Sequence, residues 1–203
     1  MLHTYSKAFD TVPHDTLIHK LSAYGVSGVL LAWLRNYFTD RFQVVRIIDT
    51  YSSPQDVKSG VIQGSTLGPA LFTIFINDLD IHIQNSFAIK YADDVKVSIS
   101  YPRNLDDELK ATESLQEDLN NITSWSSRNG LVLNIEKCKI VRFGGHAVEC
   151  TFLINNCPIE ETASFKDLGI LVSSPLNFNA YVQRIVLKAL YYLLYYQEYF
   201  HFP

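Results

Sequence analysis

"KYADDVKVS", residues 90–98, sets two aspartates side by side between two runs in which apolar and polar residues alternate. Val95, Val97 and Ile99 alternate with Lys96, Ser98 and Ser100, the period of a half-buried strand, and Phe87 to Tyr91 reads as its partner. On a flat strand successive side chains point to opposite faces, so neighbouring aspartates serve one site only where the chain turns. A hairpin tip at Asp93 and Asp94 provides that turn and concentrates negative charge that a cation would offset. Hard oxygen ligands with access to water suit Mg2+ or Mn2+. An acidic turn with no further role is the plain alternative, so the decision rests on what surrounds the pair.

Upstream, "MLHTYSKAFDTV" reads as a short strand ending near Phe9. "PHDTLIHKLSAYG" follows as a helix that Pro13 opens and Gly25 closes, with Leu17, Leu21 and Tyr24 on its apolar face. "SGVLLAWLRNYFTDR" predicts a second helix, and "FQVVRIIDTYSS" a strand or hairpin. A glycine-punctuated loop, "SGVIQGSTLG", then runs into an apolar helix from about Pro69. Downstream of the aspartates, Leu105, Leu109, Leu115, Leu119 and Ile122 recur near helical spacing between an Asn104 N-cap and a Gly130 stop, with a solvated acidic outer face. "LVLN", "KCKIVRFG", "TFLINNCPI" and "FKDLGILV" are short strand candidates, and a last helix begins near Asn179. This order predicts an α+β fold, an antiparallel sheet with helices on one face.

The chain of 203 residues carries 17 basic and 21 acidic side chains, a net charge of -4, so any contact with phosphates must be local. Cys138, Cys150 and Cys157 form no CxxC pair and are odd in number, which points to reduced, intracellular thiols rather than a disulfide framework. The histidines lack metal-ligand spacing. The apolar run from Val186 to Tyr196 is too short and too lysine-interrupted to span a bilayer, and the residues after Met1 do not form a signal peptide, so no membrane partner is expected. Asn121-Ile122-Thr123 matches a glycosylation acceptor by chance inside a predicted helix. No repeat or linker divides the chain.

The segments "SKAFDTVPHDTL", "GVIQGSTLGPALFTIFINDL", "FAIKYADDVKVS", "NGLVLNIEKCKIVRF" and "FKDLGILVSSPLNF", in this order and spacing, resemble the reverse transcriptase (RNA-directed DNA polymerase) of non-LTR, LINE-type (jockey- or CR1-like) retrotransposons. The resemblance runs from Leu2 to about Leu190. It implies the palm of a right-hand polymerase with a primer-grip hairpin over residues 1–175, the start of a truncated helical thumb over 176–203, and fingers that would have preceded Met1. It also implies two-metal nucleotidyl transfer, an RNA template, a DNA primer, deoxynucleotides, and a nuclear or cytoplasmic location; it leaves the oligomeric state open. Viral RNA polymerases and group II intron maturases are weaker matches to "SKAFDTVPH" with "YADD".

By that resemblance Asp93 and Asp94 are catalytic metal ligands, Phe9 stacks under the nucleotide sugar, Gln63 and Gly64 lie by the incoming nucleotide, and Lys139 or Lys137 lies near its triphosphate. Leu168 and Gly169 form the turn of the primer grip. The family's pattern D-[FLY]-S-K-A-F-D runs here from Thr4 to Asp10, which puts a threonine where the metal-bridging aspartate should stand, and Ile62 replaces a usual proline. A neutral hydroxyl is a poor Mg2+ ligand. Asp10 is no substitute: along an extended strand it would lie roughly 20 Å away, and it is expected to cap or position the next helix. From Tyr191 the last helix turns tyrosine-rich where the family is basic. The implied function is therefore a reverse transcriptase domain inactive as this isolated chain, or else a non-catalytic retrotransposon-derived module that binds RNA or protein.

Overall fold

The computed structural model describes residues 2–102, 104–144 and 148–199, with backbone alone at 2–4 and 197–199. Residues 200–203, the end of the tyrosine-rich tail, lie outside the described residues. The chain begins with β1 (Leu2–Thr4), a helical turn α1 (Ala8–Thr11), α2 (His14–Ala23) and α3 (Gly28–Phe38). Short strands β2 (Phe42–Gln43), β3 (Arg46–Ile47), β4 (Thr50–Tyr51) and β5 (Gln55–Asp56) follow, β3 pairing β4 inside the β2–β5 pair, so the expected hairpin is present and exposed throughout. Next come α4 (Leu67–Ile76), a 3-10 stretch at Asn77–His82, β6 (Phe87–Tyr91), β7 (Asp94–Ser98) and α5 (Leu105–Arg128). Then follow β8 (Lys139–Ile140), β9 (Leu153–Ile154), β10 (Cys157–Pro158), β11 (Glu160–Glu161), β12 (Ser164–Asp167), β13 (Ile170–Ser173) and α6 (Asn179–Tyr199).

The helices start and stop where their end chemistry says. Pro13, at φ -68°, precedes α2, and the N–H groups of Gly25 and Val26 return to the carbonyls of Ser22 and Leu21, a Schellman closure that Gly25 permits at φ 94°. In α5 the Asn104 side chain accepts from the Asp107 N–H at 2.8 Å, and Gly130 repeats the closure at φ 70°. Leu115, Leu119, Ile122 and Trp125 of α5 enter the same buried cluster as Phe72 and Phe75 of α4 and Val95 and Val97 of β7. Leu105 and Leu109 stay exposed, while Glu108 and Ala111 of the same turns are buried.

Five strands form the main sheet in the order β11-β8-β1-β7-β6. The prediction of an antiparallel sheet holds for β6–β7, β7–β1 and β1–β8, but β11 runs parallel to β8. The reason is the route: after β8 the chain makes the separate β9–β10 hairpin and returns in its original direction, the crossover that parallel neighbours need. β7 alternates as expected, with Val95 and Val97 fully buried on the helix side and Asp94 and Lys96 half-buried on the other.

Three expectations are corrected. The first strand ends at Thr4 rather than near Phe9, because Lys7 turns the chain at φ 49° into the helical turn of α1. The acidic side of α5 is not uniformly solvated: Asp118 is fully buried and accepts from the N–H groups of Gln84 and Asn85, and buried Glu108 lies 3.7 Å from Arg142. "LVLN" contributes only an isolated bridge from Leu133 to Tyr5. The three cysteines are free thiols, and no described helix is long and apolar enough to cross a membrane.

Candidate active site

The β6–β7 hairpin closes on the pair Tyr91–Asp94, leaving Ala92 and Asp93 as a two-residue loop. Ala92 takes φ 51°, in the position where such loops favour glycine, at a cost of about 1–3 kcal/mol for a residue with a Cβ. Asp93 therefore occupies the turn while Asp94 opens β7, and both carboxylates are half-buried. Across β7 lies β1, in the register Leu2–Lys96, His3–Val95 and Thr4–Asp94. Directly opposite positions of an antiparallel pair share one face of the sheet, so Thr4 and Asp94 occupy neighbouring positions on one face.

A first cleft has its wall built on α1 and the loop before α4. Phe9 stacks on Phe72 at 4.5 Å between centroids and 17° between planes, one face in the core and the other in a cleft of about 490 Å3 that it shares with Ile62, Gln63, Gly64 and Ser65. The core and the sugar-stacking readings of Phe9 are thus compatible in one position. The loop is stitched to α1 by backbone: Val61 N–H to Phe9 O at 2.7 Å and Gly60 N–H to Val12 O at 2.8 Å. His14 Nε2 lies 2.8 Å from Gly60 O and the Ser59 hydroxyl donates to Asp10 O. Glycine is required at 60, since φ is 95° and a Cβ would lie 2.9 Å from the Asp10 backbone. Gln63 Nε2 donates to Asp10 Oδ1 at 2.6 Å. Asp10 consequently braces the Gln63 loop and does not cap α2, whose N-cap is Pro13 and which has no side-chain cap. The extended-strand distance expected for Asp10 does not apply, because the chain turns at Lys7.

The wall of a second cleft is the β12–β13 hairpin, paired Asp167–Ile170 around Leu168 and Gly169, both at positive φ (44° and 95°) as a type I′ loop demands. Asp94, Lys137, Lys139, Lys166, Asp167 and Leu168 line a cleft of about 230 Å3. The structure thus brings Asp94, Lys139 and Leu168 together, with Gly169 next to Leu168 on the turn. Phe9, Gln63 and Gly64 line a separate cleft. Lys139 is paired with Glu160 at 2.5 Å, whereas Lys137 is exposed.

A family model described as Reverse transcriptase (RNA-dependent DNA polymerase) matches residues 5–172. The chain belongs to the reverse transcriptase family. It is 28% identical to an RNA-directed DNA polymerase from mobile element jockey of Drosophila melanogaster, over 88% of this chain and 20% of that protein. It is 30% identical to a probable RNA-directed DNA polymerase from transposon BS of the same organism, over 87% of this chain and 20% of that protein. A Pol polyprotein from a type-1 retrotransposable element R2 of Popillia japonica is 23% identical, over 83% of this chain and 30% of that protein. The chain thus spans about a fifth of the length of the first two relatives. These matches bear out the expected reverse transcriptase domain of non-LTR, LINE-type origin.

Reverse transcriptases use divalent metal ions, and the donor set of this member of the family fits one more readily than two. Asp93 and Asp94 offer hard oxygens at a half-exposed tip, enough to hold one hydrated Mg2+ or Mn2+. A bridge between two ions needs a further carboxylate, and the position opposite Asp94 is Thr4. Among the described residues no group of three metal-type side chains gathers. The sequence reading missed the brace of Asp10 on Gln63 and the bonds from Lys96 to Asp167, at 2.6 and 2.7 Å to its two carboxylate oxygens. Partners separated by 53 and 71 residues leave no local signal; only the exposed-face position of Lys96 beside Asp94 hinted at one.

Proposed function

We propose that this chain is the palm of a right-hand polymerase, over residues 1–175, with the beginning of a thumb in the segment 176–203, and that it holds an RNA template with a DNA primer but does not extend the primer by itself. The observation that carries the reading is the register of β1 on β7, which sets Thr4 against Asp94. Asp93 and Asp94 hold a single Mg2+ or Mn2+ ion, which when bound would supply charge stabilisation for the transferring phosphoryl group. Gln63 and Gly64 line the side where a deoxynucleotide enters, with Phe9 beneath its sugar. Lys139 and Lys137 lie toward the triphosphate, and the Leu168–Gly169 turn meets the primer end. Loss of a carboxylate that two ions should share removes several kcal/mol of transition-state stabilisation, which is orders of magnitude in rate. The location that follows is the one where template and primer meet, in the nucleus or cytoplasm.

Primer extension on an RNA template with Mg2+ or Mn2+ tests this, alongside titration of Mn2+ into the protein. Wild type is expected to bind a primer–template hybrid without extending it. Thr4→Asp is expected to tighten Mn2+ binding about tenfold, and Asp93→Ala to abolish it. Extension by wild type that Asp93→Ala removes would overturn the proposal.

A further inference from the structure

Among the described residues the strands β12 and β13 form a separate two-stranded sheet, pairing with each other and with no other strand. Its root is fixed to the main sheet: Thr162 N–H donates to Ile140 O at 2.9 Å, and the Ser174 hydroxyl donates to Arg142 O at 2.5 Å. Its tip has a different kind of tie. Lys96 Nζ lies 2.6 Å from Asp167 Oδ1 and 2.7 Å from Oδ2, so one ammonium group engages both carboxylate oxygens. Asp167 is the residue immediately before the Leu168–Gly169 turn, and Lys96 stands two residues beyond Asp94 on β7. Positions two apart on a strand share a face and lie about 7 Å from one another. The turn is therefore fastened to the very strand that begins with the metal-site carboxylate.

We infer that the Lys96–Asp167 pair is a latch that sets the position of the Leu168–Gly169 turn relative to Asp93 and Asp94. This rests on the proposed reading of that turn as the element meeting the primer end, and it makes Lys96 and Asp167 positioning residues. Exposed ion pairs are typically worth little, because water screens them and two long side chains must be held still. This one differs in two respects. Both side chains are less than a quarter exposed, 22% for Lys96 and 24% for Asp167, and the carboxylate is chelated rather than touched at one oxygen. Removing either partner leaves a half-buried charge unpaired and frees a tip whose two central residues already occupy a left-handed conformation. The neighbouring cations Lys137, Lys139 and Lys166 also line the cleft, so a freed Asp167 has other partners to swing toward, carrying the turn with it.

The test combines amide hydrogen exchange with binding of a DNA primer annealed to an RNA template, in wild type, Lys96→Met, Asp167→Asn and the charge-reversed double variant Lys96→Asp/Asp167→Lys. Each single variant is expected to speed exchange at the amides of residues 165–170 about fivefold while the interior of α5 keeps its protection, and the reversal to restore it. Affinity for the hybrid is expected to fall and recover in parallel. Unchanged exchange in the single variants, or a reversal that restores nothing, would overturn the latch. Exchange that responds while hybrid affinity stays constant would overturn its role at the primer end. A wild type that binds no hybrid counts against the proposed function instead, and the latch is then judged on exchange alone.

Discussion

The Gln63 cleft and the Asp94 cleft each have a wall, and the two walls are held by different physics. The Gln63 wall is joined to α1 by backbone hydrogen bonds and by the close approach of Gly60 to Asp10. The β12–β13 wall is rooted by two hydrogen bonds and pinned at its tip by one ion pair. Backbone bonds depend little on which side chains are present, and they are not screened by salt. An ion pair depends entirely on its two residues and weakens with ionic strength. The first wall is therefore built to keep its shape, and the second to be adjustable by sequence and by solution conditions.

The sharpest way to break the contrast is Gly60→Ala. A Cβ there would meet the Asp10 Cα and the carbonyl oxygens of Phe9 and Asp10 at 2.9 Å, at a φ of 95°. A loss of about 3 kcal/mol is expected in urea unfolding. Next in size is an effect at Tyr5, the buried residue that follows β1. Burial pushes its phenol up to about 12, only partly offset by the Ser126 hydroxyl, so the folded state favours the neutral form. The unfolded chain loses that proton near pH 10 and the folded chain near 12. The stabilisation is thus fully present below pH 10 and is lost as pH climbs from 10 to 12. It amounts to about 2–3 kcal/mol. Tyr5→Phe should remove that part of the alkaline loss, read as the difference between the two proteins' urea midpoints at pH 9 and pH 11.5. The smallest effect belongs to the adjustable wall: Leu168→Gly relieves a left-handed residue at φ 44° and should stabilise by about 0.5 kcal/mol, seen as a small rise in melting temperature. A loss of stability there would mean that Leu168 makes a packing contribution larger than its strain.

Much of this was legible in the sequence where the signal was local. The alternation Val95–Val97 gave β7, Asn104 and Gly130 bounded α5, and Pro13 and Gly25 bounded α2, because periodicity and capping act over a few residues. The turn at Lys7 was not legible. A lysine in a left-handed conformation carries no mark in sequence, so the sequence alone predicts a β1 that runs on to Phe9 and an Asp10 far from the aspartate pair. The buried acids Asp118 and Glu108 escaped notice for a related reason. Each lies on a helix face that reads as solvated until the N–H groups of Gln84 and Asn85, or the guanidinium of Arg142, arrive from elsewhere in the chain. The family resemblance implies candidate residues for a site but not how they are supported, and the support is long-range.

The three-residue strand β1 is the middle member of a five-stranded sheet, flanked by β7 and β8. During synthesis β6 and β7 can pair with each other as soon as both have emerged, since only Ala92 and Asp93 separate them. β1 must wait: its partner on one side is Val95, opposite His3, and on the other Lys139, opposite Leu2. β7 keeps an open edge until β1 docks, and Thr4 meets Asp94 only across the whole span from residue 4 to residue 94. Long-range pairing of this kind folds slowly and exposes strand edges on the way. The candidate active site thus depends on a contact that local pairing does not supply.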